Sequence, residues 1–578
     1  MSGGPGEVAG STPDATESPE TPERSPGTES TDDRSLLSSS AVMAAGTVVS
    51  RMSGIVRTVL LAAAIGTQLH ADVFNIANTV PNMLYILLAG GVFNAVLVPQ
   101  LVRAMKNDPD GGDAYAQRVV TLAALFLAFV TLVLVAAAPW VMRIFLAPDF
   151  YTPDLAEQRE SVIVFARYCL PQVFFYGMFV LVGQILNARG SFGPMMWAPI
   201  ANNVISAAVL VGYLVVFGSA SGAEKTGGYT SGQELLLGLG STLGIAVQLL
   251  ILVPYLRRAG FRFRPRFDFR GSGLGHTFRL GIWTVLFVLV NQLAYTVVVR
   301  LASGGTAAAA TEGVTGAGYS VYSSAFLVIM VPHSIVTVSL ATAMLPRLSG
   351  HAAEGDLAGV SRNVASTLRQ VLALIVPVAV LIPLVALDAS NLVWGYGAAS
   401  TTYSDIALAL ALFSPGLVLF TSHYLVLRGF YALERTRTVF WVQCAIALTN
   451  VALAFALTRD TAPGRTAAGL VLAYCGAYLV GAVGSYLLLR HVLGGLETPV
   501  LVRFLVRIAV AVGAAGLVGW GVRALVVALL PGDGKAAAAV SVIAVTLAGA
   551  GVYLLVSRVL RIAEVGAVTR LVTSRLRG

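Results

Sequence analysis

The chain is 578 residues long, 56% hydrophobic and only 12% charged, with a formal net charge of +9 and a mean hydropathy of +0.78. No water-soluble protein of this size can bury so much apolar side chain, so the composition selects a polytopic membrane protein and excludes a soluble enzyme or nucleic-acid-binding module. The apolar runs are 20 or more residues long rather than alternating segments of about ten, which excludes an outer-membrane barrel.

Residues 1–35 are rich in Ser, Thr, Pro, Gly and Glu and carry −6 of the formal +9, which leaves +15 for the rest of the chain. They are read as a disordered acidic cytoplasmic tail, with Ser-Pro and Thr-Pro steps where a cytoplasmic regulator could act. A signal peptide would need a basic start and a short apolar core, and neither is present. Fourteen apolar runs follow, at 36–66, 72–104, 118–147, 161–187, 193–217, 233–256, 278–302, 317–346, 364–387, 404–427, 438–457, 466–490, 500–530 and 536–559. The odd-numbered connections are nearly free of Lys and Arg, whereas the even-numbered ones are basic, so both termini are expected on the cytoplasmic side. The connector 257–277 is the most basic of them. Its run Phe-Arg-Phe-Arg-Pro-Arg-Phe-Asp-Phe-Arg (261–270) reads as a juxtamembrane anchor on anionic membrane lipids. A second basic tail occupies 561–578.

An internal repeat divides these runs. Val98-Pro99-Gln100-Leu101 recurs as Leu345-Pro346-Arg347-Leu348, and Asn203 recurs as Asn450, both at an offset of 247. Two copies of six spans follow, an N-lobe (36–256) and a C-lobe (278–490), with 491–560 as an added pair. Each copy has an even number of spans, so the copies share orientation and are related by an axis along the membrane normal. Transporters built this way bind substrate between the repeats, near mid-membrane.

Arg51 and Arg57 lie inside the first run, where a cation is costly unless it faces a polar cavity or an anionic partner. Asp72 follows just after, and Asn75, Asn78 and Asn82 make part of the next helix polar. The pattern points to an anionic, partly hydrophilic ligand handled between these two helices. Arg167 is either a further cavity cation or the partner of a neighbouring helix. Arg300 and Arg428 lie near span ends and are expected to snorkel, and His333 and His423 are expected to be structural. Cys169, Cys444 and Cys475 show neither metal-ligand spacing nor a disulfide framework, and no cofactor or metal is expected. Pro99, Pro171, Pro332, Pro377, Pro383 and Pro415 are expected to kink their helices.

Several of these residues, taken in order, resemble the MurJ (MviN) family, the lipid II flippases of the multidrug/oligosaccharidyl-lipid/polysaccharide exporter superfamily. The resemblance covers 36–560. It rests on Ser50-Arg51 through Arg57, Ala71-Asp72-Val73-Phe74, Val80-Pro81-Asn82, Val98-Pro99, Ile185-Leu186-Asn187, Phe192-Gly193, Ala198-Pro199, Asn202-Asn203, Leu345-Pro346 and Arg428-Gly429-Phe430-Tyr431-Ala432-Leu433. It implies alternating access, lipid II as the ligand, a bacterial plasma membrane, and a lipid-tail groove on the added pair at 491–560. The family's charged positions are only partly kept. An arginine after the Pro-Asn of span two falls on Tyr85 and a nearby acid on Gly90. A span-eight arginine falls near Leu327, and a sodium-coordinating aspartate on Ala294.

The resemblance therefore carries Arg51, Arg57 and Asp72 across and leaves the C-lobe charges behind. Arginine suits a diphosphate because its planar fork donates two charge-assisted hydrogen bonds and stays charged in a low dielectric. Arg51 and Arg57 are about 9 Å apart along a helix and about 120° apart around it, so Gly54 between them is the expected bend. Arg51 is expected to hold the diphosphate in preference to Arg57, with Asp72 as its counter-charge when the site is empty. Asn82 and Arg167 complete the expected substrate set. The competing readings are a flippase for another polyprenyl-diphosphate glycan and a drug/cation antiporter, which would want acids in its cavity.

Overall fold

The computed structural model describes residues 49–88, 112–268, 274–532 and 534–566, with Gly46, Ala104 and Asp110 as isolated positions. The N-terminal tail, the motif at 98–101 and most of the C-terminal tail lie outside these residues. Among the described residues the secondary structure is helical, with no strand. The N-lobe comprises α1 (49–65), α2 (Leu69–Ile86), α3 (Asp113–Ala136), α4 (Ala138–Phe145), α5 (Ala156–Cys169), α6 (Gln172–Ala188), α7 (Gly193–Val216), α8 (Ser231–Leu250) and α9 (Leu252–Arg258). The C-lobe comprises α10 (Leu274–Glu312), α11 (Tyr319–Pro332), α12 (Val338–Ala353), α13 (Leu357–Trp394), α14 (Tyr403–Ala432), α15 (Thr436–Thr458) and α16 (Thr466–Leu493). The added pair is α17 (Thr498–Leu529) and α18 (Lys535–Val559).

Twelve helical segments among the described residues, all beyond α2, are long and apolar enough to cross a membrane. With α1 and α2 in the places of the first two apolar runs, the order of elements follows the sequence expectation. Boundaries differ where packing outweighs composition. The run 303–316 reads as a connection, yet α10 continues to Glu312. Its alanines at 307–310 are strong helix formers, and Gly305 lets the backbone approach Thr466 so closely that a Cβ would collide with that side chain. Pro171 ends the expected fourth span early and separates α5 from α6, while Pro332 is followed by a π-helical turn, His333–Thr337. At Gly54 α1 runs on unbroken. Its missing side chain admits the Asn203 amide, which donates to the Ser50 carbonyl (3.0 Å) and the Ser53 hydroxyl (2.9 Å).

The described part of the basic connector, 261–268, is an irregular segment fitted to the N-lobe. Phe261 is buried against the N-lobe under the Arg189 guanidinium, 5.2 Å from the ring centre. Further along, the Arg266 amide donates to Thr121 (3.1 Å), and Arg118 forms a two-pronged pair with Asp268 (2.6 and 2.9 Å). Phe263 and Phe267 are exposed, as an interfacial role requires. Arg118 holds the Asp268 carboxyl below its ordinary range by hydrogen bonding to its charged form.

The lobes meet along α2, which packs on α10 and α11, and along α4, which packs on α10. Their polar contacts cluster at one end of the bundle. The fully buried Asp72 carboxylate accepts from the Tyr319 amide (2.9 Å), the Ser320 amide (2.6 Å) and the Thr306 hydroxyl (2.8 Å). An N-lobe carboxylate thus caps a C-lobe helix, α11, where orphan N–H groups and the helix dipole favour negative charge. The reciprocal contact is Arg300 of the C-lobe, which donates to the Arg143 and Ile144 carbonyls (2.8 and 3.2 Å) at the C-terminus of α4. Arg300 therefore does not snorkel; its charge lies at the negative end of an N-lobe helix. Asn75 donates to Ser320 (2.8 Å), and the Thr67 and Thr402 hydroxyls meet at 2.7 Å. Gly397, at φ +52°, lies against the Ala63 carbonyl, where any Cβ would collide.

The added pair packs on α13. Polar clamps hold it at both ends. Arg369 pairs with Glu497 (2.9 Å) and Glu564 (3.0 Å) at one end. At the other end Asp388 accepts from Arg523 (3.2 Å) and Ser541 (2.7 Å), and Lys535 donates to the Asn391 side chain (2.7 Å). Between the clamps, Gly516 faces Val380, Gly519 faces Leu384 and Gly549 faces Leu381, while Ala511 and Ala515 are buried. The small residues at 511, 515, 516 and 519 do not leave an open groove, because leucine and valine side chains of α13 and Val545 of α18 fill the space. They serve close helix approach, as small residues do in membranes. Gly513 and Gly521 of α17 face open space.

Candidate functional site

Between the lobes lies a cavity of about 500 Å³. Its N-lobe wall is built by α1 and α2 through Arg57, Thr58, Leu61, Asn75, Asn82 and Met83. The C-lobe wall brings Asn291, Gln292, Gln443 and Asn450 together with a set of aromatic residues: Tyr295, Tyr319, Tyr322, Phe326, Phe420, Tyr474 and Tyr478. Arg57 is the only charged residue among the described residues lining it, and none is a carboxylate.

Arg57 has no hydrogen-bond or ion-pair partner among the described residues, although it lies in the interior of a helix long enough to reach deep into a bilayer. A permanent cation there needs either water or an anion. Asn82 occupies the α2 face opposite the buried stripe and lines the same cavity. Asn75 and Thr79 tie α2 to the C-lobe, Thr79 meeting the Tyr319 hydroxyl at 2.5 Å and Tyr319 in turn meeting Tyr295 at 3.0 Å. Gln292 donates to the Met83 carbonyl at 2.6 Å. The cavity wall is therefore pre-set by hydrogen bonds that cross the lobe boundary.

The expected set separates in space. Arg57 and Asn82 share the cavity. Arg51 is exposed and lies off its wall: six residues of helix carry Arg51 nearly two turns away and about 120° around. Asp72 is not a counter-charge for either arginine, because its oxygens are occupied by α11 and Thr306. Arg167, on α5, is exposed and does not line the cavity. Tyr85, where the family pattern has an arginine, stacks near Tyr176 with ring centres 4.7 Å apart. Ala294 and Leu327, where that pattern has an aspartate and an arginine, both line the cavity and make the C-lobe wall neutral there.

A second chamber of about 350 Å³ adjoins the first within the C-lobe. It shares Asn291, Phe420, Gln443 and Tyr478 with the main cavity and adds His423, Tyr424, Arg428 and Tyr431. Arg428 turns inward over the Tyr424 ring (4.2 Å) rather than snorkelling. His333 meets the Thr421 hydroxyl (3.0 Å) and His423 meets Ser485 (3.1 Å), so both histidines are satisfied inside the bundle. The position of Arg428 near the end of its span hid this inward role from the sequence. No group of three or more metal-ligating side chains occurs among the described residues.

Comparison with known proteins agrees with this architecture. The family model described as lipid II flippase MurJ matches residues 61–536. A "Probable lipid II flippase MurJ" of Rhizobium tropici is 27% identical over 73% of this chain and 76% of its own length. One from Thermotoga maritima is 25% identical over 91% of this chain and 97% of its own. Among solved structures, "Lipid II flippase MurJ, inward closed conformation" superposes with a TM-score of 0.68 at 16% identity, covering 90% of this chain and 98% of that one. An inward-facing multidrug resistance MATE family transporter superposes with a TM-score of 0.60 at 17% identity, covering 78% of this chain and 96% of its own. With the family model spanning most of its length, this chain belongs to the MurJ lipid II flippase family.

Proposed function

We propose that the chain is a lipid II flippase that carries the undecaprenyl-diphosphate-linked peptidoglycan precursor from the cytoplasmic to the outer leaflet by alternating access. The observation that supports this best is Arg57, a guanidinium without a hydrogen-bond or ion-pair partner among the described residues, on the wall of an interlobe cavity whose described lining is rich in amides and hydroxyls and holds no acid. Moving a diphosphate and a sugar-peptide headgroup through hydrocarbon would leave many polar groups unsatisfied, at several kcal/mol each. A polar cavity between two lobes removes most of that penalty, and the guanidinium fork supplies two charge-assisted bonds to the phosphates.

The arginine distribution supports an orientation with both termini cytoplasmic. In that orientation the Asp72–α11 and Arg300–α4 contacts seal the outer side, and the cavity is loaded from the inner leaflet. Arg57 and Asn82 are assigned to the diphosphate end of the ligand, and Arg51 to its approach from the cytoplasmic side. The drug/cation antiporter reading is weaker, since such a cavity would present a carboxylate to its cation and none lines this one among the described residues.

The test is depletion of the protein in a bacterium followed by a sidedness assay for lipid II. Accumulation of lipid II in the inner leaflet, reversed by re-expression, is the expected result. Normal outer-leaflet lipid II with a displaced pool of another polyprenyl-diphosphate glycan would instead assign that glycan as the cargo.

A further inference from the structure

Among the described residues Arg428 shares its chamber with no acid. It forms no ion pair among the described residues, and its Nε is buried without a hydrogen-bond partner. Its guanidinium carbon lies 4.2 Å from the centre of the Tyr424 ring and 5.7 Å from that of Tyr431, cation–π contacts that hold the charge against ring faces and supply no hydrogen-bond acceptor. An anchored, unsatisfied, permanently charged fork beside a roughly 350 Å³ void is built for an anion.

Arg57 and Arg428 line different chambers that meet at Asn291, Phe420, Gln443 and Tyr478. A diphosphate held at Arg57, in the N-lobe wall, lies outside the Arg428 chamber. The same ligand must then present a second anionic group at a distance from the first. Amides at the junction of the chambers suit peptide groups, and aromatic walls suit apolar side chains and sugar faces.

We propose that Arg428 binds a carboxylate of the substrate's peptide stem, so that the chamber reads the peptide while Arg57 holds the diphosphate. This rests on the flippase reading above. A pentapeptide ends in a carboxylate, and the planar guanidinium matches it in a bidentate pair. The neutral C-lobe wall at Ala294 and Leu327 is consistent with an assignment in which anion recognition on that lobe has its cation at Arg428.

The test uses the full-length protein in nanodiscs and two ligands, lipid II and the same polyprenyl-diphosphate disaccharide with its peptide removed. The wild type should bind lipid II at least tenfold more tightly. Arg428→Gln should abolish that preference while leaving affinity for the peptide-free lipid within twofold, and Arg57→Gln should weaken both. Equal weakening of both lipids by Arg428→Gln, or no change in either, overturns the proposal. If the wild type binds the two lipids equally, the proposal falls and the diphosphate reading stands; if it binds neither, both fall. Should Arg428→Gln aggregate, the comparison passes to Arg428→Lys, whose point charge cannot stack as a plane. That variant should lose the preference several-fold, and an undiminished preference overturns the assignment.

Discussion

The Asp72 carboxylate accepts the backbone N–H of Tyr319, and the two residues are 247 positions apart, the same offset that relates the halves of the internal repeat. The contact is asymmetric: the N-lobe supplies a carboxylate and the C-lobe a helix N-terminus. Arg300 on the α4 carbonyls is its electrostatic complement, so each lobe closes the other with a charge placed on a helix end.

Closure at this end should depend on Asp72. Asp72→Ala leaves the Tyr319 and Ser320 amides buried without acceptors, at about 1–3 kcal/mol each. In a Thr67→Cys/Thr402→Cys background, whose hydroxyls meet at 2.7 Å in the parent, oxidative cross-linking should be efficient. Adding Asp72→Ala should reduce it several-fold, and undiminished cross-linking would show that other contacts hold the lobes together.

The two arginines of α1 should separate functionally. Arg57→Ala should abolish complementation of a flippase-depleted strain with the protein still in the membrane. A lost charge-assisted pair amounts to about 1.5–3 kcal/mol, or roughly 10- to 100-fold in affinity. Arg57→Lys should be at most partial, because an ammonium does not replace the fork. Arg51→Ala should retain measurable growth; a strain as dead as Arg57→Ala would place Arg51 on the transport path as an equal.

Leucine scanning of the added pair should follow steric room rather than lipid contact. A Cβ on Gly549 would lie 2.5 Å from the Leu381 side chain, one on Gly519 3.0 Å from Leu384 and one on Gly516 3.3 Å from Val380, while Gly513 faces open space. Thermal stability of the purified protein should fall in that order, with overpacking of about 1–3 kcal/mol at the tightest site. Gly513→Leu should be near neutral. Equal stability across the four would mean that α17 and α18 are not seated on α13.

Arg369 should matter more than either of its acids. Its side chain is 12% exposed, and Arg369→Ala leaves Glu497 and Glu564 facing each other without a cation. The loss should approach about 3 kcal/mol, the lower edge for breaking a buried pair. Glu497→Gln or Glu564→Gln should each lose less, since the other carboxylate remains. Differential scanning of the three variants decides the order, and an Arg369→Ala protein as stable as the parent would remove the clamp from the account.

Much of this molecule was determined locally. Run length, arginine placement and the 247-residue echo depend only on burial in hydrocarbon and on chain periodicity, so the helical class, the two lobes and the added pair were legible in the residues. So was the importance of a cation inside α1, because a charge in a hydrocarbon-length run must have a reason. What a polar side chain faces is a property of its neighbours in space. Asp72 reads as an arginine's partner and is a helix cap; Arg300 and Arg428 both read as snorkelling, yet one closes the lobes and the other turns into a chamber. The added pair carries a lipid-tail groove only by resemblance, and at Gly516 and Gly519 the side chains of α13 occupy the space a groove would need. Arg51 and Arg57 are equivalent by composition, and only the rotation of α1 against α2 and the C-lobe turns Arg57 to the cavity and leaves Arg51 outside it.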